Sequence, residues 1–240
     1  MKIWLFLVLV LLAAMPASGR ADRAGALLET GRQAYAAGRF AEAAGALAAA
    51  AETGLDTAQA GLCLDVATAW RLAGDPGRAA LWLYRAHRAD PADGRVARGL
   101  AAAGLAAPDE PLLLYGRLSP RLLWWTALAA NALFWLGLAG FRLAGRPIPR
   151  PLAAVAAVLL VWLWAEAAWT ALGPALVPKA VVLAETPARS APEAAAEELF
   201  VLPPGMLVSP GPKRGGYRRV DAGNDRLGWI ANDSLAPVGP

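Results

Sequence analysis

Few residues in this 240-residue chain could act on chemistry together. His87 is the one histidine and Cys63 the one cysteine, which excludes a histidine pair on a metal, an internal disulfide, a CxxC redox couple and a zinc site of several thiolates. Any nucleophile–base arrangement has to use His87, and none of Ser18, Ser119, Ser190, Ser209 and Ser234 stands in a G-x-S-x-G elbow. GPKRGG at 211–216 lacks the phosphate-loop spacing and falls between strand-like runs, so it reads as a hairpin loop. His87, in LYRAHRADP near a helix end, reads as a surface or dipole-compensating residue. Cys63 lies among Leu62, Leu64 and Val66 and reads as a small buried apolar side chain. With no constellation for catalysis, metal or cofactor, the expectation is a protein that is not an enzyme.

The remaining candidate is Glu166, the only charge in the run from Pro151 to Pro178. An acid inside so apolar a segment has three readings: placement at an outer membrane interface, a contact between helices, or transport chemistry. The elements around it explain the unusual bulk. A hydrophobic fraction of 57% and a mean hydropathy of +0.40 are too apolar for an ordinary soluble chain. The formal charge of +4 does not mark a nucleic-acid binder: residues 20–117 hold eleven basic and eleven acidic side chains, and residues 179–240 hold seven of each. The excess comes from Lys2, Arg121, Arg142, Arg146 and Arg150, less Glu166, and no basic stripe is left to neutralise phosphates.

Residues 1–19 have the pattern of a signal peptide: Lys2, an apolar run from Ile3 to Ala14, a break at Pro16, then small residues, with cleavage expected after Gly19 or retention as an anchor. Leu122 to Phe141 is free of charge, and at about 1.5 Å per residue this run and the one after Pro151 each reach across a core about 30 Å thick. The expected spans are 121–141 and 151–173, following a linker at 108–120. The loop 142–150 between them carries Arg142, Arg146 and Arg150 without an acid and is expected in the cytoplasm. Both flanking soluble parts then lie on the outer, periplasmic face of an inner membrane.

Residues 20–107 show helical spacing and an internal repeat. GRQAYAAGRFAEAAGALAAAAETGL aligns with VATAWRLAGDPGRAALWLYRAHRADP so that Gly38 meets Gly74, Ala43 meets Ala79 and Ala50 meets Ala86, each 36 residues apart. The unit resembles a tetratricopeptide repeat, departing at Ala67, Pro76 and Leu55. Small residues at Gly38, Ala43, Gly74 and Ala79 are expected to let paired helices approach, with Tyr35, Trp70, Trp82 and Tyr84 filling gaps. Asp93 to Leu105 reads as a capping helix, and two repeats with one cap leave an apolar face for a partner. If the resemblance holds, the first helix of each unit lines the inner surface, making Arg32, Gln33, Asp65 and Arg71 candidate protein contacts.

Residues 179–240 change character, with AVVLAETP, EELFVL, GMLVSP, GGYRRV, DRLGWIA and LAPV as short strand-like runs. The segment resembles a bacterial SH3-like domain through Gly216, Tyr217, Val220, Gly228, Trp229 and Ile230, which implies a small all-β barrel; Trp229 is expected to be largely buried because Gly228 and Ile230 flank it on a strand. The turn AGND at 222–225 supplies residues that tolerate positive φ. The expected fold is therefore multidomain: all-α tetratricopeptide-repeat helices, a two-helix transmembrane hairpin and an SH3-like barrel.

That order, together with RLAGDPGRAALWLYRAHRADP at 71–91 and AVVLAETPARSAP at 180–192, resembles the BatE-type proteins of bacterial aerotolerance operons. The resemblance implies partners among membrane-linked von Willebrand A-type proteins and a MoxR-type AAA ATPase, and a role in envelope stress. The expected function is an envelope scaffold binding proteins through its repeats. The alternative is a cell-wall-binding sensor whose SH3-like domain takes peptidoglycan.

Overall fold

The computed structural model describes residues 18–53, 59–108, 118–143, 145 and 150–239. The expected leader falls almost wholly outside them, as do most of the linker at 108–120 and most of the 142–150 loop.

Five helices precede the apolar segments: α1 (Ser18–Ala36), α2 (Phe40–Glu52), α3 (Gln59–Leu72), α4 (Pro76–Ala89) and α5 (Gly94–Ala102). The 36-residue offset reappears in the backbone of the turns. Gly38 (φ +74°) and Gly74 (φ +81°) close α1 and α3 in the left-handed conformation. In each turn the glycine N–H donates three residues back and the following N–H five back, Arg39 to Ala34 at 2.9 Å and Asp75 to Trp70 at 3.0 Å. These are Schellman caps, which satisfy carbonyls that a helix end leaves unpaired. Neither glycine has a neighbour where a Cβ would stand, so both serve the turn and not the close approach expected of them. Close approach comes instead from Gly31, where a side chain would meet Leu47 Cγ at 2.7 Å. Ala34, Ala43, Ala44 and Ala69 form a small-residue core beside half-buried Trp70. Trp82 and Tyr84 are buried as expected, whereas Tyr35 is 40% exposed and packs edge-on to Phe40.

α4 begins at Pro76, which has no N–H to lose at a first-turn position, and its N-cap Asp75 accepts from the Arg78 N–H at 2.8 Å. It is buried around most of its circumference, because α3 covers one side and a β-sheet the other.

That sheet contains β1 (Ala180–Val182), β2 (Thr186–Arg189), β3 (Glu198–Leu202), β4 (Leu207–Arg214), β5 (Tyr217–Asp221), β6 (Leu227–Ala231) and β7 (Leu235–Pro237). The order is β3-β2-β6-β5-β4-β1-β7, antiparallel throughout. The sheet is open, with β3 and β7 as its edges, so the SH3-like barrel does not form. Closure requires a particular tilt and stagger of strands, which strand-like runs do not specify. AVVLAETP also proves to be two strands, broken where the Thr186 hydroxyl turns back to the Ala184 carbonyl at 2.8 Å. The best-ordered ladder joins β5 to β6 in register from Tyr217↔Ala231 to Asp221↔Leu227, across a turn in which Gly223, Asn224 and Asp225 all have positive φ.

Strand alternation decides which side chains form the sheet's core. Gly228 and Ile230 are buried on β6, so Trp229 between them points to the other face and is only half-buried. The expectation that flanking residues would bury Trp229 reverses that alternation. On β1 all three residues are buried. Ala180 and Val182 join Ala188, Leu202, Val208, Val220 and Ile230 in the sheet core, while Val181 enters the helical core with Leu83, Val96 and Leu100. β1 is thus shared by two cores. Arg85 reinforces the joint by reaching Glu52 at 3.6 Å and the Pro237 carbonyl at 3.4 Å while its guanidinium lies over Trp82. Part of the apolar helix face expected to await a partner is covered by the chain's own sheet.

α6 (Pro120–Leu143) and α7 (Arg150–Leu176) correspond to the expected spans and are long and apolar enough to cross a membrane. Leu133 and Leu136 are each 68% exposed and Val161 71%, so the pair presents a large apolar surface that the described residues leave uncovered.

Candidate functional site

The four sequence-derived contact residues lie on α1 and α3. Arg32 and Asp65 are both exposed, and the charge of Arg32 acts on Asp65 across the two helices. Crowding holds the Asp65 carboxyl above its ordinary value, while Arg32 and Arg95 draw it back. Arg95 belongs to α5, so three helices contribute to one patch of charge. Gln33 is also exposed but is held on its own helix, its Nε2 donating to Glu29 Oε1 at 3.0 Å. Arg71 is exposed in the last turn of α3, about 9 Å along the axis from Asp65 by helical rise. The structure therefore joins Arg32 with Asp65, adds Arg95, and sets Arg71 apart.

Arg95 is aimed by Asp93, the N-cap of α5. Asp93 Oδ1 accepts from the Arg95 N–H at 2.9 Å, and Asp93 Oδ2 accepts from Arg95 Nη2 at 2.7 Å. These bonds hold the Asp93 carboxyl below its ordinary value. That the charge of Arg95 is felt at Asp65 depends on how α5 packs near α3.

The single-copy residues occupy defined places. Cys63 is buried, and removal from water pushes its thiol up to about 11 against the smaller opposing pull of Arg85. His87 is in the last turn of α4 as expected of a dipole-compensating residue, but it is buried and not at the surface. Among the described residues, no three His, Cys, Asp or Glu side chains gather as a metal site would require.

Glu166 and its neighbour Ala167 on α7 are both fully buried. Ala167 packs with Leu123 and Ala127 of α6, which allows close approach. Trp124 Nε1 donates to Thr170 Oγ1 at 3.0 Å, and the Trp124 and Trp164 rings meet edge to face at 5.7 Å. Interhelical bonding of this kind is one of the forces that pair helices in lipid.

A cavity of about 840 Å³ opens where α7, the end of α4, the segment after α5 and the sheet converge. Tyr84, Leu105, Trp169, Val177, Lys179 and Met206 are among its walls. Tyr84 donates its hydroxyl to the Ala106 carbonyl at 3.3 Å, and Lys179 Nζ donates to Ser209 Oγ at 2.9 Å. No local signal could have revealed this space, because its walls lie more than 120 residues apart at the extremes and meet only by folding.

No protein-family model, curated protein or solved structure matches the chain. Together with the open sheet, this removes the BatE-type and SH3-like assignments, and with them the aerotolerance role. The von Willebrand A-type and MoxR-type partners rested on that resemblance alone, and peptidoglycan binding on the SH3-like domain.

Proposed function

We propose that this protein is a membrane-anchored, non-enzymatic scaffold that binds a protein partner through the exposed surface of α1, α3 and α5. The observation that supports this most is that Asp65 of α3 feels the charges of Arg32 of α1 and Arg95 of α5. Such a patch offers opposite charges to a partner at fixed spacing, and electrostatic complementarity of that kind sets specificity and encounter rate more than raw affinity. The arginines at 142, 146 and 150 support an orientation with the loop between α6 and α7 in the cytoplasm and both folded parts outside.

A photo-crosslinking residue placed at Arg32 or at Asp65 in the full membrane-bound chain should capture a discrete protein. The same residue at Lys213, on the exposed β4–β5 hairpin, should not. Equal capture at all three positions refutes the assignment of the surface. For orientation, reporter fusions after Leu105 and Pro237 should read as exported and one at Arg146 as cytoplasmic; a cytoplasmic signal at Pro237 refutes it.

A further inference from the structure

The cavity beside α7 has a chemistry that the scaffold reading does not use. Lys179 stands three residues beyond the end of α7 at Leu176, where the chain leaves the apolar segment. A lysine ammonium has three N–H donors, and the bond to Ser209 occupies one. Around it the walls are mostly apolar, from Leu105, Met206, Trp169 and Val177, with His87 and Arg88 of α4 also lining the cavity. The Trp169 ring folds against Gly173, where a side chain would meet it at 2.7 Å, so Gly173 leaves room for the ring on the cavity wall. Leu172 and Leu176 at the end of α7, and Val177 just beyond it, are exposed apolar side chains close in sequence to the cavity-lining Trp169, Gly173 and Lys179. A volume of about 840 Å³ is within the range of small-molecule sites.

We infer that this cavity binds the anionic headgroup of a membrane lipid, with Lys179 contacting the phosphate and the acyl chains lying down the exposed face of α7. The inference rests on α7 crossing a bilayer, not on the protein-binding surface of α1, α3 and α5. A cationic donor at the point where a span emerges matches the depth of a lipid phosphate, and the adjoining apolar strip matches the chain below it. A free phosphate would use the lysine but leave the apolar strip without a ligand.

Native mass spectrometry of the full chain, released from micelles doped with dioleoyl phosphatidylglycerol or dioleoyl phosphatidylcholine, tests this. One phosphatidylglycerol should be retained in preference to phosphatidylcholine. Lys179→Met should weaken that retention about tenfold, the loss of one charge-assisted hydrogen bond, while retaining the stem that packs. Ala107→Trp, at an exposed position on the cavity wall, should block both lipids without disturbing a core. Arg142→Gln, at the far end of the spans, should change nothing. A third arm adds inorganic phosphate to lipid-loaded protein. The inference is overturned if Lys179→Met and Ala107→Trp leave retention as it was, if Arg142→Gln removes it equally, or if inorganic phosphate displaces the lipid. Each variant's melting curve is recorded alongside, and either Lys179→Met or Ala107→Trp alone suffices if the other does not fold.

Discussion

Gly77→Ala probes the joint between helices and sheet, because the two consequences of adding a methyl there have opposite sign. In a helix, replacing glycine by alanine ordinarily stabilises by about 0.5–1 kcal/mol. At Gly77 the new Cβ would collide with the backbone carbonyl of Leu183, just after β1. No side-chain rotation relieves a backbone clash. Nor can that segment yield alone: the Leu183 N–H donates to the Ser234 carbonyl at 2.8 Å, and the Val182 carbonyl accepts from the Gly205 N–H at 2.7 Å. The sheet must therefore move off α4, exposing Val181, whose full burial contributes about 1.5 kcal/mol, and loosening Leu183, Leu207 and Val238 beside it. Overpacking costs typically about 1–3 kcal/mol; with the Val181 exposure added and the helix gain subtracted, the net expectation is a loss of about 1.5–4 kcal/mol. Gly45, on the exposed side of α2 with open space where a Cβ would stand, is the matched control. Thermal unfolding of the full chain in micelles should show Gly45→Ala raising the midpoint slightly and Gly77→Ala lowering it, at about 2–4 °C per kcal/mol for a unit of this size. If Gly77→Ala raises the midpoint as Gly45→Ala does, β1 does not rest on α4 and the shared core is wrong.

Ile230→Ala should cost about 2–5 kcal/mol in denaturant unfolding and Trp229→Ala clearly less, since Ile230 faces the sheet core and Trp229 does not; the reverse ranking refutes the register. Cys63, with its thiol near 11, should react with a thiol reagent at pH 8 on the order of a hundredfold slower than a free cysteine, and at the ordinary rate once unfolded. Asp93→Ala should cost about 1 kcal/mol by removing the cap of α5. Because the folded Asp93 carboxyl is depressed, its contribution is present above the unfolded carboxylate value and is lost as pH falls through the folded one. A melting profile for Asp93→Ala that tracks the parent at neutral pH would refute that role.

The one-dimensional pattern was enough wherever a property depends on neighbours along the chain. Two apolar runs predicted α6 and α7 within a few residues, because apolar length alone decides what can cross a bilayer. AGND marked the β5–β6 turn, because positive φ is a local demand that few side chains tolerate, whereas the turn role of Gly38 and Gly74, expected to serve close approach, emerged only from the backbone. The apolar neighbours Leu62, Leu64 and Val66 also marked Cys63 as buried. Where the outcome turned on which distant surface a face meets, the pattern was silent or misleading. A run such as AVV is apolar on both faces whether it closes a barrel or joins two cores, and only the docking of α4 through Gly77 decided for the second. That Glu166 would be fully buried is likewise invisible along the chain. Lys179, Tyr84 and Trp169 share a cavity for the same reason: burial is a property of surfaces brought together in space, and the chain order records each surface without its counterpart.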